Sequence, residues 1–164
     1  MSLSQLDLLS AIDDRVMVVE SVRDWVEAVR LAGAMLVASG VVEERYVNAM
    51  VKVTQELGPY AVLAPGVAMP HARPEDGAKR IGLSVLVIKN GVNFGSPNDP
   101  VYVVIGFAAI DKTSHLSVLK ELAELLDTPD IVEKLRNTSS REEVVRIIRE
   151  LLTAQELNNL AHKS

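Results

Sequence analysis

The sequence predicts a layered α/β or α+β domain with helices on either side of a central sheet. Three observations carry that reading. In residues 83–88, Leu-Ser-Val-Leu-Val-Ile, both alternating faces are largely apolar, and such a strand lies between two covering layers. Amphipathic helical patterns stand before and after this block of strands. No repeat, Pro/Gly-rich linker or charge block interrupts the 164 residues, a length that suits one domain with a single core.

Residues 16–19, Val-Met-Val-Val, are apolar and mostly β-branched, bounded by Asp-Asp-Arg and Ser21, and predict the first strand. Ser21 is the expected N-cap of a helix whose apolar face is Val22, Trp25, Val26, Val29, Ala32, Gly33 and Leu36, with Gly40 as its stop. A second helix over 43–57 is expected to bury Tyr46, Met50, Val53 and Leu57, and Gly58-Pro59 ends it. Strands are predicted over 60–64, 82–89 and 101–110, with turns at Asn90-Gly91 and over 96–100. Leu116, Leu119, Leu122, Ala123 and Leu126 form the stripe of a third helix. Thr128-Pro129-Asp130 reads as a cap with proline at the first helical position, opening a short helix to about Arg136. Residues 139–142, Ser-Ser-Arg-Glu, read as a capping box for a last helix, which presents Val144, Ile147, Ile148, Leu151 and Leu152.

Composition removes several classes of function. A content of 48% hydrophobic and 24% charged residues is ordinary for a globular chain, which excludes collagen-like and disordered readings. The net charge of −5 without a basic cluster disfavours nucleic acid as a partner. The absence of cysteine excludes disulfides, thiol catalysis and cysteine-ligated metals. The longest apolar run, ten residues over 101–110, is too short to span a bilayer. The opening MSLSQLDLLSAIDD lacks the basic start of a secretory signal, so a cytoplasmic location is expected. Nucleotide-binding glycine loops, zincin and serine-hydrolase motifs are absent, so no cofactor and no metal are expected.

The chemistry then rests on histidine. His71 lies in Ala64-Pro65-Gly66-Val67-Ala68-Met69-Pro70-His71-Ala72-Arg73-Pro74, where the prolines stiffen the backbone and hold Met69 extended. It is either a turn histidine or an imidazole presented on a rigid support, able to carry a phosphoryl group on one nitrogen while the other donates a hydrogen bond. His115 stands 44 residues later where a helix begins, either as a surface residue of the cap or as a donor to a bound anion. His162 falls in the tail and is expected to be solvated. Arg73 either clamps phosphoryl oxygens or pairs with Glu75 or Asp76.

The element Gly66-Val67-Ala68-Met69-Pro70-His71, followed by a histidine at the next helix start, resembles the enzyme IIA component of the sugar phosphotransferase system. More narrowly it resembles the mannitol/fructose type (the type-2 IIA domain), and the run over 58–75 is closest to the ascorbate-specific branch. The resemblance extends from Val16 to Leu152, implying a single domain over 1–164 with a helical tail over 153–164. It implies a mixed sheet flanked by helices. It also implies a relay: the phosphocarrier protein HPr donates, His71 accepts, and a cysteine of enzyme IIB receives, serving the membrane component enzyme IIC. His115 would orient the phosphoryl group and Arg73 would bind it. One departure stands out. An Arg-Glu pair commonly lies about sixteen residues before the active histidine of this branch, and Gln55-Glu56 occupies that position here. The resemblance allows two roles, transport of a sugar or sugar acid, or regulation through phosphorylation-dependent protein binding.

Overall fold

The computed structural model describes residues 4–163. Its centre is an antiparallel pair, β4 (Gly82–Val92) and β5 (Val101–Ala108), joined by a turn in which the Asp99 carboxylate accepts the N–H groups of Phe94, Gly95 and Ser96. β1 (Val16–Val19) runs parallel to β4 at one edge. On the other side β3 (Val67–Ala68) runs parallel to β5, and β2 (Val62–Ala64) pairs antiparallel with β3. The order β1-β4-β5-β3-β2 makes a mixed five-stranded sheet.

Alternation along the central strands sends side chains to two separate cores. Leu83, Val85, Val87, Val103, Ile105 and Phe107 enter one, packed by α1 (Ser4–Ile12), α4 (Leu116–Leu126), α5 (Ile131–Arg136) and α6 (Arg141–Lys163). Leu86, Ile88, Val104 and Ala108 enter the other, packed by α2 (Trp25–Ala38) and α3 (Glu44–Leu57). The doubly apolar strand is therefore buried on both faces, as expected. Gly106 is required here. A Cβ on it would stand 2.5 Å from the Ser84 hydroxyl, which donates to the Ala32 carbonyl of α2 at 2.8 Å.

The helix ends follow local chemistry, with shifts from expectation. α2 stops at Gly40 (φ +74), where Gly40 N–H donates to Val37 and Val41 N–H to Leu36, the paired bonds of a left-handed glycine cap. Its N-cap is Asp24 and not Ser21: the Asp24 carboxylate accepts the Glu27 N–H at 2.9 Å, leaving Val22 ahead of the helix. The last helix is capped one residue later than expected, by Ser140, whose hydroxyl accepts from Glu143 N–H. Asp130 adopts φ +61, which breaks the backbone after Pro129, so α5 opens at Ile131 and not at the proline. Residues 58–61 form a 3₁₀ turn, so the strand expected from 60 begins at Val62, and Tyr60 is 84% exposed. Asn90-Gly91 is not a turn: β4 continues to Val92 through an irregularity at Gly91 (φ +73).

Two helices differ in which face they bury. The stripe expected on α4 is rotated: Val118, Glu121, Leu122 and Leu125 are buried, while Ala123 is exposed and Leu116 is 58% exposed. A reading that keeps charged residues out of the core selects the wrong face when one carboxylate is inside. In α3, Tyr46, Met50 and Thr54 are buried, whereas Val53 is half-buried and Leu57 is 39% exposed. α1 was not foreseen as a helix; Leu8, Ala11 and Ile12, at three- and four-residue steps and one apart, fix it in the α4/α6 core. Buried Arg15 ties these parts together, donating to the carbonyls of Leu83 and Ala11 and to the Ser39 hydroxyl.

Candidate functional site

The short β3 strand delivers the site. Gly66 turns the chain into it with φ +81, its carbonyl accepting from Tyr102 and Val103 N–H groups; a Cβ there would meet Val132 at 3.0 Å. After β3, the Pro70 carbonyl accepts the Phe107 N–H at 3.1 Å, so the segment 69–73 leaves the sheet while still tied to β5. Tyr46 of α3 completes the clamp. Its hydroxyl accepts from the Ala72 N–H at 3.1 Å and donates to the Phe107 carbonyl at 2.9 Å, with the Ala72 carbonyl at 3.2 Å. Burial pushes the phenol up to about 12, so it is a neutral donor at any physiological pH.

His71 is half-buried within this clamp. Its Nδ1 stands 3.0 Å from the Met69 carbonyl oxygen. A carbonyl only accepts, so Nδ1 carries a proton, and in the neutral imidazole Nε2 keeps the free lone pair. The contact is local, two residues back, and depends on the extended backbone that Pro70 imposes on Met69.

His71 and Arg73 line one groove together with Ala72 and Asp76, and α3 forms the facing wall with Lys52, Val53, Glu56 and Leu57. The apolar residues expected in the core at 53 and 57 thus belong to the site. Arg73 makes no ion pair among the described residues; the Asp76 carboxylate instead accepts the Arg73 backbone N–H at 3.0 Å. Gln55 is exposed and does not line the groove, whereas Glu56 does.

His115 is the N-cap residue of α4, with φ −101 and no side-chain capping bond. It does not line the His71 groove. Its ring stands edge-on to Phe107 at 5.5 Å between centroids, and its Nδ1 is buried without a hydrogen-bond partner among the described residues. Phe107 therefore joins the two histidine segments, through its backbone to Pro70 and Tyr46 and through its ring to His115. The loop before α4 is held by Asp111, which accepts from the N–H groups of Ser114 and Thr113; these bonds hold its carboxyl below the usual carboxylate range. The side chain of His162 lies outside the described residues.

Among the described residues no group of three or more His, Asp or Glu side chains is placed to hold a metal, and no helix is long and apolar enough to cross a membrane. The sequence by itself does not single out Tyr46, Phe107 or Lys52 as site residues. A tyrosine on a core face and a phenylalanine in a strand carry no local sign of a second role. Lys52 stands one helical turn before Glu56, which was the sign available.

A family model described as "Phosphoenolpyruvate-dependent sugar phosphotransferase system, EIIA 2" matches residues 12–151. The chain is 38% identical over 136 residues to the mannitol-specific cryptic phosphotransferase enzyme IIA component of Escherichia coli K12, covering 83% of this chain and 92% of that relative. It is 39% identical over 126 residues to the ascorbate-specific PTS system EIIA component of the same strain, covering 76% and 82%. Among solved structures it superposes on the complex of enzyme IIAMTL and phosphorylated enzyme IIBMTL from Escherichia coli with a TM-score of 0.71, at 32% identity, covering 87% of this chain and 96% of that one.

Proposed function

The chain belongs to the phosphoenolpyruvate-dependent sugar phosphotransferase system EIIA 2 family, whose members are phosphoryl-carrying phosphotransferase components, and we propose that His71 is the residue that carries the phosphoryl group. The observation that carries this reading is the Nδ1–H donated to the Met69 carbonyl, which leaves Nε2 as a bare nucleophile on a clamped segment beside an open groove.

The Nε2 lone pair attacks phosphorus in line as the P–N bond to a histidine of the donor HPr breaks, and the bonding electrons return to that donor nitrogen. A phosphorylated imidazole is electron-poor, so the Nδ1–H strengthens its bond to Met69 as the new bond forms. A cysteine thiolate of enzyme IIB then attacks phosphorus and the Nε2–P bond breaks. Neither step needs a nucleotide, and the protein's part is positioning and charge stabilisation. Arg73, without an ion pair among the described residues, supplies positive charge from the His71 side of the groove. His115, whose ring packs on Phe107 outside the groove, is the residue proposed to orient the phosphoryl group without becoming phosphorylated. The cargo so energised is a sugar or sugar acid, ascorbate-like in view of one relative's name.

Partner docking has to expel water from the groove, and Leu57 with half-buried Met69 and Ala72 supplies a modest apolar rim for it. Incubation with phosphoenolpyruvate, enzyme I and HPr is expected to give an acid-labile modification, lost in His71→Ala. Uptake by His71→Ala at the wild-type rate refutes the assignment. Chemical-shift mapping with HPr is expected to perturb residues 66–74; changes confined to distant residues count against the docking surface.

A further inference from the structure

A phosphoryl group on His71 brings about −1.5 to −2 charges into the groove. Before it arrives the wall charges balance, with Lys52 and Arg73 against Glu56 and Asp76. The two acids are not equally free. Asp76 is engaged by the Arg73 N–H, and Glu56 stands one turn after Lys52, the less favourable order for an ion pair along a helix. Lys52 makes no ion pair among the described residues. It is exposed and lines, with Val53 and Glu56, the α3 wall of the groove that His71 also lines, so a flexible ammonium is available to that groove. Gln55 itself is exposed and is not part of that wall.

From this placement we infer that Lys52 is the phosphoryl-binding cation contributed by α3, meeting the equatorial oxygens from the wall opposite Arg73. Lys52 forms and breaks no covalent bond. Its charge stabilises the planar phosphoryl group in transit and the phosphohistidine afterwards. This inference rests on His71 as the acceptor.

The test uses the whole chain with phosphoramidate as donor and no partner protein present: phosphorus bonds to His71 Nε2, the P–N bond of the reagent breaks and ammonia leaves. Lys52→Gln is expected to slow uptake roughly tenfold, as for one lost charge-assisted contact, and Lys52→Arg to restore most of it. The ³¹P titration midpoint of the loaded protein is expected to rise in Lys52→Gln, because a cation that favoured the dianion has gone. Lys134→Gln, an equal change of charge on α5, is expected to alter neither. Wild-type uptake and midpoint in Lys52→Gln overturn the inference. So does slowing seen only with a protein donor, which makes Lys52 a docking residue. A wild-type protein that phosphoramidate does not modify at His71 removes the carrier reading, and this inference with it.

Discussion

The segment carrying His71 and the helix carrying His115 flank the same phenylalanine, yet their polar groups are satisfied to different degrees. Around His71 four polar groups of the segment are partnered: Nδ1 on Met69, Ala72 N–H on Tyr46, Arg73 N–H on Asp76, and the Pro70 carbonyl on Phe107. Along α4, among the described residues, His115 Nδ1 has none, and the Glu121 carboxylate has no more than the Leu8 backbone beside it. The first arrangement suits the proposed carrier role of His71, in which one tautomer and one pose serve two transfers. In the second, folding stability has been given up in places, and Glu121 shows it. Burial, with Asp7, Glu124 and Glu156 as acidic neighbours, pushes its carboxyl up to about 7. Only the end of α4 near Phe107 lies by the proposed site; Glu121 is five residues into the helix, under α1 and α6.

The contrast is tested most severely by Tyr46→Phe. It removes the hydroxyl that serves Ala72 and Phe107 together, so thermal or urea unfolding is expected to show a loss of about 2–3 kcal/mol. Phosphoryl uptake is expected to slow as well, since the His71 segment loses its tie to α3. Unfolding indistinguishable from wild type would show the clamp to be ornamental. His115→Ala is expected to behave in the opposite way. Stability should fall by no more than about 1 kcal/mol, because only the edge contact with Phe107 is lost and Nδ1 made no hydrogen bond, while rapid-quench kinetics should show transfer slowed roughly ten- to a hundredfold, onward transfer to enzyme IIB more than uptake. Unchanged rates would reduce His115 to a cap, and labelling of His115 itself would overturn the division of roles.

Glu121→Gln gives the smallest and most specific effect. The native carboxyl titrates near 7 and the unfolded one near 4.5, so between those values the unfolded chain loses its proton first. The stabilising protonated form is therefore fully present below about pH 4.5, and its contribution is lost as pH rises through 7. The loss is on the order of 1–2 kcal/mol once solvent screening is allowed for. Glu121→Gln should flatten this slope and raise the melting temperature at pH 7.5. A slope equally steep in the variant would assign it to other groups.

Much of this architecture is local and therefore legible in the chain. Residues 83–88 mark a strand covered on both faces because side-chain period alone decides which faces are apolar. Gly40 ends α2 because a left-handed cap is set by one residue. The stiff run from Gly66 to His71 marks a rigid support, since proline restricts its own backbone and its predecessor's. Other features needed chain segments far apart in sequence to meet. Which nitrogen of His71 is free depends on the pose of its ring over Met69. Tyr46 reaches Phe107 across 61 residues, and Arg15 reaches Leu83 across 68. Lys52 became a wall of the groove, and Val53 and Leu57 its lining, only because β3 brings His71 against that face of α3. Glu121 lies inside because α1 and α6 close over α4, a burial that a carboxylate's own chemistry opposes and that packing of its apolar neighbours Val118, Leu122 and Leu125 outweighs.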